Sequence, residues 1–449
     1  MIDERELRDA LHHRADSVGS LPINPPVAVR RARRRLLTTV SVSLVTIAAL
    51  IAGAVIGVGH LTVSHPPVPV GEPAQWSRVQ LDESAAMSGA DPHAVAAGPN
   101  GYVAVGDISL ATSGTGPQDP NLRAPNYQRF LDKSSAVAQT SVWTSSDGRH
   151  WSPVPPEGAP DSLNVNDVAY GHGVFVAVGI TGAMFESYPP YAAWYSTDGT
   201  SWTEATVHTP DHPAWAPIHL YEVIATRFGF LASGGVGNDG FVWRSTDGRV
   251  WDPVPDESVF GGGEHHQQVH TLVEGGPGYM AFGVEARTDG VGPGVPLEWT
   301  STDGVNWTRQ TFDPNPLPWE IPGSVTAGGP ELVAVGDAGS TGQTSSAVLW
   351  TSHDGLAWTR QDFPFSRFLS TVTWTGDRYL IGGEGGIWTS EDGETWTLVP
   401  DPDGAFAPDP SAFARKDASV EGFADGPGGL IATGTVGFEG TVWLENNSK

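Results

Sequence analysis

A tryptophan followed eight residues later by a second, with a Ser-x-Asp-Gly turn between them, recurs along this 449-residue chain. The first complete copy is Trp143-Thr-Ser-Ser-Asp147-Gly148-Arg-His-Trp151. Five more run Trp194…Asp198…Trp202, Trp243…Asp247…Trp251, Trp299…Asp303…Trp307, Trp350…Asp354…Trp358 and Trp388…Asp392…Trp396. Trp443 closes the sequence without its second member, and Trp76 stands without its first. Fourteen of the seventeen tryptophans are thereby placed in one pattern. Asp-Gly between apolar runs is a hairpin signal, because glycine takes positive φ freely and aspartate bonds its own backbone two residues on. The neighbouring serine supplies a second side-chain-to-backbone bond in the same turn.

Around each turn the sequence reads as two hairpins. The run Asn166–Gly179 alternates, turns at Gly-His-Gly and continues into an apolar strand. That second strand recurs as Tyr102-Val-Ala-Val-Gly106, Leu332-Val-Ala-Val-Gly336 and Leu430-Ile-Ala-Thr-Gly434. The first tryptophan sits on a third strand, and the second opens a fourth. Turn aspartates are spaced by 51, 49, 56, 51 and 38 residues. Four short strands per repeat cannot bury both faces of their sheet, so the units must stack, the signature of a propeller. The expected fold is all-β, a seven-bladed β-propeller over residues 76–449. Trp76 and Trp443 form its clasp: the segment Trp76–Val79 completes the last sheet beside Val442–Leu444 and removes an exposed edge. Asn447 and Ser448 stand where that sheet's aspartate and glycine would be.

The turns resemble the Asp-box, or BNR repeat, of sialidases, sortilin-type receptors, some endoglucanases and photosystem assembly factors. In the better-known box one residue separates aspartate from glycine; here glycine follows directly. The resemblance implies that Asp147, Asp198, Asp247, Asp303, Asp354 and Asp392 are structural staples on the face away from any ligand. An exo-sialidase would be expected to carry an arginine triad, an Arg-Ile-Pro motif and a Tyr–Glu nucleophile pair. No Arg-Ile-Pro occurs, and Arg149, Arg244, Arg249, Arg309 and Arg360 sit in or beside the turns. No catalytic residue is assigned. An exo-glycosidase, which needs two carboxyl groups about 5–10 Å apart, is the alternative to a binding module.

The net charge is −27 and there is no cysteine. Residues 1–35 hold eight arginines and five acids, while the remainder holds 16 basic and 46 acidic residues. So acidic a domain argues against nucleic acid as a partner. Arg30, Arg31, Arg33, Arg34 and Arg35 precede residues 36–59, which carry no charge. At 1.5 Å per residue a helix of that length spans a core of about 30 Å. The positive side stays cytoplasmic, so the expectation is a single-pass cell-membrane anchor with the propeller outside. Cleavage after Ala52-Gly-Ala54 is the competing reading, but the apolar run continues through Gly59. Residues 60–75 are a Pro-rich linker. Residues 1–35 form a tail with a short amphipathic helix, Leu7, Ala10, Leu11 and Ala15 on one face. It resembles the tails of actinobacterial membrane proteins, some of them sigma-factor regulators, and is a candidate for a cytoplasmic partner.

A ligand of such a ring meets the face built by blade-to-blade connections. The connections carry Trp215, Tyr221, Trp319 and Phe365, and the loop between the second and third strands of blade two, on the same face, carries Tyr188 and Tyr191. With acids such as Glu186, Asp211 and Glu320 these suit a glycan, a cell-wall polymer or a protein segment. The same rings also suit the packing of long loops. His265, His266 and His270 with Glu264 have metal-ligand chemistry, but on a strand 265 faces away from 266 and 270. No metal and no cofactor is expected.

Overall fold

The computed structural model describes residues 75–81, 90–108, 141–162, 164–181, 191–208, 218–255, 259–261, 266–286, 294–310, 320–338, 346–366, 368–407, 418–437 and 439–446. The tail, the apolar segment 36–59, most of the linker and Asn447 and Ser448 lie outside them. No helix among the described residues is long and apolar enough to cross a membrane.

The described chain is all-β and propeller-like. After β1 (Gln75–Arg78) come six four-strand units and a seventh of three strands in chain order, the first two joined in one sheet by the Asp107–Asn164 pair. Unit 1 is β2 (Ala90–Gly98), β3 (Gly101–Ile108), β4 (Val142–Ser145) and β5 (Ser152–Pro153). Unit 2 is β6 (Asn164–Gly171), β7 (Val174–Ile180), β8 (Tyr191–Ser196) and β9 (Thr203–Glu204). A short β10 (Thr206–Val207) joins unit 3, which is β11 (Ile218–Thr226), β12 (Gly229–Val236), β13 (Asp239–Ser245) and β14 (Val250–Pro253). Unit 4 is β15 (His266–Gly275), β16 (Gly278–Ala286), β17 (Val295–Ser301) and β18 (Trp307–Gln310). Unit 5 is β19 (Glu320–Thr326), β20 (Leu332–Ala338), β21 (Ser346–Ser352) and β22 (Thr359–Phe363). Unit 6 is β23 (Leu369–Trp374), β24 (Tyr379–Gly383), β25 (Gly386–Ser390) and β26 (Thr397–Leu398). Unit 7 has three consecutive strands, β27 (Ala418–Gly426), β28 (Gly429–Val436) and β29 (Glu439–Asn446). Its fourth is β1, antiparallel to β29 with Trp76 opposite Glu445 and Arg78 opposite Trp443.

The apolar core is divided into clusters lying between successive units. Val103 and Val105 meet Val168 and Ala177 between units 1 and 2, and Val174 and Val176 meet Phe230 and Ala232 between 2 and 3. The same pattern continues to units 6 and 7, where Leu380 and Ile387 meet Leu430 and Ala432. A further cluster joins unit 7 to unit 1, with Ile431, Val442 and Leu444 against Tyr102, Ala104 and Trp143. The first tryptophan of each pair is at most 3 % exposed. Large plates at this position fill the wedge between sheets.

The turns are built as their chemistry requires. Ser145 Oγ accepts the Gly148 N–H at 2.9 Å, and Asp147 Oδ1 accepts those of Arg149 and His150 at 2.9 and 2.8 Å. Gly148 has φ 71°, and Trp151 Nε1 donates to its carbonyl at 3.0 Å. The serine-to-glycine bond repeats at 2.8–2.9 Å in all six turns. In unit 5 the Trp358 indole instead points to Glu298 Oε1 of unit 4 at 3.5 Å. First-hairpin and Asp-Gly turns share one end of the sheets: a Cβ on Gly101 would meet the Ser145 carbonyl oxygen at 2.1 Å.

Candidate binding site at the inner strands

Every innermost strand carries a register shift. It falls between Asp91 and Ala94, Val165 and Asp167, Leu220 and Glu222, Val269 and Thr271, Pro322 and Ser324, Leu369 and Thr371, and Val420 and Gly422. A bulge leaves one residue unpaired and re-aims it. Units 2 to 7 each displace one residue, Asn166, Tyr221, His270, Gly323, Ser370 and Glu421, and unit 1 displaces Pro92 and His93; with His93 counted for unit 1, each unit has one such residue. All seven line a single cavity of about 610 Å³. The bulges lie near the starts of these strands, at the end opposite the Asp-Gly turns.

In units 2 to 5 the position after the bulge holds neighbouring units together. Asp167 accepts N–H bonds from Val168 and, in unit 3, from Val223, both at 2.8 Å. Glu222 accepts the Leu272 N–H of unit 4, and Ser324 Oγ that of Val372 in unit 6 at 3.1 Å. Thr271 Oγ1 donates toward the Pro322 and Gly323 carbonyls at 3.4 and 3.3 Å. Burial pushes the Asp167 carboxyl up to about 6, against the lowering effect of its two N–H donors. Burial, then the charge of Asp167, raises Glu222 well above the carboxylate range.

The displaced residues themselves divide in character. Tyr221 stacks on His270 with ring centroids 5.0 Å apart and planes 18° apart. Its other neighbour is His219 at 6.0 Å and 19°, and Tyr191 closes edge-on upon His219 at 4.8 Å. Burial, with the charge of His266, holds His270 below the usual imidazole range. Elsewhere on the cavity wall, burial and then Asp91 raise Glu421 to about 7. His93 Nε2 lies 3.0 Å from the Asn166 carbonyl, whose side chain donates to Leu220 O at 2.6 Å. The lining contains no lysine or arginine.

Sequence-expected residues are distributed unevenly. Tyr221, expected in a connection, belongs instead to β11 and is covered by an imidazole on each face; alternation resumes only after the bulge it occupies. Tyr191 opens β8 and joins the same stack. Phe365 is 64 % exposed beside buried Phe363. Glu320, expected as a ligand-facing acid, is fully buried and engaged by Arg360 at 2.7 and 2.9 Å. Trp215, Tyr188 and Trp319 lie outside the described residues, as do His265 and Glu264. Among the described residues no group of three or more His, Asp or Glu is arranged to hold a metal. His93, Asn166, Ser370 and Glu421 were not anticipated. Their signal is a break in alternation just before the apolar half of each first strand, as in Asn166-Asp167-Val168 and Ser370-Thr371-Val372.

No protein-family profile and no curated protein matches the chain. Among solved structures it is similar to an α-L-arabinofuranosidase from Fusarium graminearum in complex with an iminosugar inhibitor (12 % identity, 61 % of this chain and 89 % of that one, TM-score 0.40). It is also similar to a chain of a nidogen/laminin complex (11 %, 69 % and 93 %, 0.34) and to a glycosyl hydrolase from Bacteroides ovatus (13 %, 55 % and 86 %, 0.29). Likeness at this level carries nothing about arrangement or activity.

Proposed function

We propose that this chain is a membrane-tethered, extracytoplasmic binding module whose sheets close into a seven-bladed β-propeller and whose cavity mouth takes a glycan. The observation that carries the binding reading is the bulge in every innermost strand, which directs one residue per unit into a common cavity. Ring closure draws support from the β1–β29 pairing and from the cluster between units 7 and 1. The tether rests on the uncharged run 36–59 behind five arginines. A concave site with converging polar groups is the ordinary form of a ligand pocket.

The hydrolase reading is weaker on the same geometry. Asp167 and Glu222 are committed to backbone N–H groups, and Glu421 is paired with Asp91 instead of standing across a substrate bond from a second carboxyl. Signalling through residues 1–35 would be an additional role of the same anchored chain. The test is a glycan and wall-polymer array probed with the full chain. Capture is expected and should be lost in Ser370→Tyr at unchanged Tm. Turnover of a captured saccharide that vanishes in Glu421→Gln would replace this reading with the hydrolase.

A further inference from the structure

The ring of displaced residues is lopsided. Units 1 to 4 present His93, Asn166, Tyr221 and His270, whereas units 5 and 6 present only Gly323 and Ser370. Tyr221 and His270 occupy equivalent positions in adjacent units and stack face to face. The next equivalent position is Gly323, which has no side chain with which to continue the stack.

That position is open. A Cβ built on Gly323 meets only the Val335 carbonyl oxygen, at 3.8 Å, and the residue has no positive φ that would reserve it for glycine. Other inner glycines are different: Cβ atoms at Gly382 and Gly422 would meet Val420 O at 2.7 Å and Thr433 Oγ1 at 2.9 Å. Gly323 therefore is not required by the packing of its own strand. The same cavity wall carries Ser370 and Thr371 of the next unit and Glu421 of unit 7, two hydroxyls and a carboxyl. On the approach to β23, Phe365 and Phe368 are 64 % and 41 % exposed.

We infer that a saccharide ring without negative charge fills the place left by Gly323, its apolar face on the outer face of His270 and its hydroxyls toward Ser370, Thr371 and Glu421. This rests on the glycan-binding reading above and names the subsite and ligand class. A pyranose combines an apolar face with in-plane donors and acceptors, which is the combination the gap offers. Uronates, sialosides and sugar phosphates are disfavoured, because the lining supplies acids and no lysine or arginine to meet an anion.

The experiment titrates the full chain in nanodiscs with the N-acetylglucosamine tetramer, cellotetraose and tetragalacturonate, for the wild type and for Gly323→Leu. The neutral sugars should bind, tetragalacturonate should bind about tenfold or more weakly, and Gly323→Leu should weaken the neutral sugars about tenfold or more at unchanged Tm. Gly323→Ser, which adds less bulk, and His270→Ala keep the test open if the leucine variant folds poorly. Both should weaken the neutral sugars at retained Tm. Neutral sugars that bind the wild type and all three variants alike would overturn the subsite while leaving the glycan reading intact. Preference for the uronate would overturn the ligand class. An array on which no saccharide binds the wild type would overturn both.

Discussion

The hydroxyl of Tyr102, in unit 1, donates to the carbonyl oxygen of Gly429, in unit 7, at 2.5 Å, across 327 residues of sequence. The Tyr102 hydroxyl oxygen in turn accepts the Gly428 N–H at 2.9 Å. Unit 6 repeats the device on unit 5: Tyr379 Oη donates to Glu331 O and accepts from Glu331 N, at 2.6 and 2.8 Å. One side chain thus satisfies both a donor and an acceptor in the turn of the preceding sheet.

Tyr102→Phe removes that pairing while keeping the ring. These backbone groups are part-buried, so leaving them without partners should cost up to about 1–3 kcal/mol in chemical denaturation. Tyr170→Phe is the control, since its ring packs on Phe175 at 4.7 Å with no comparable hydroxyl bond. Equal losses in the two variants would refute the pairing as the cause.

Trp76 is 3 % exposed and meets Phe423 edge-on at 6.2 Å. Trp76→Ala should cost about 3–5 kcal/mol through the cavity it leaves. It should also loosen β1 and uncover the edge of β29, so concentration-dependent association in sedimentation velocity is expected alongside the lower stability.

Asp167 ties unit 2 to unit 3 through the Val223 N–H. Asp167→Ala orphans two N–H groups and should destabilise by about 1–3 kcal/mol. Asp167→Asn keeps an acceptor oxygen and should recover part of the loss; an asparagine variant no better than alanine would argue against the tie.

The acids of this protein fall into two classes with opposite pH dependence. The N–H groups of Thr395 and Glu394 outweigh burial to hold Asp392 down at about 2, and those of Ser201 and Thr200 do the same for Asp198 against a larger burial effect. Folded values below the unfolded one give stability that is present above about pH 4 and lost as pH falls through the folded values. Burial raises Asp167 to about 6, Glu421 to about 7 and Glu298 to about 8. There the native state binds more protons than the unfolded chain, so stability falls as pH rises from about 4 toward those values. Thermal melts should therefore give the highest Tm between about pH 4 and 6, with a decline toward pH 8. Glu298→Gln should flatten the decline; an unchanged slope would assign it elsewhere.

What the sequence discloses here is what is local and repeated. The Asp-Gly turns and tryptophan pairs are legible because each is specified within nine residues, and the β1–β29 pairing because Trp76 and Trp443 are the two unmatched members of that pattern. The bulges are hidden because a one-residue slip is decided by how a strand curves against its neighbour, not by its own alternation. Tyr221 therefore reads as part of a connection although it lies within a strand. Glu320 reads as a free acid because its partner, Arg360, is on the fourth strand of the unit, 40 residues on.

β1 belongs to the sheet whose other strands are made last. Ser77 and Asn446, joined by a 3.0 Å hydrogen bond, are 369 residues apart. During synthesis β1 emerges before the other strands and must wait, unpaired, until β29 has followed. At ribosomal speeds of about 5–20 residues per second that interval is roughly 20–70 seconds. A chain that stalls late leaves β1 without its partner strand, so incomplete products carry a sticky strand near the N-terminus that finished molecules hide. The pairing that completes this sheet therefore forms only in chains synthesised through β29.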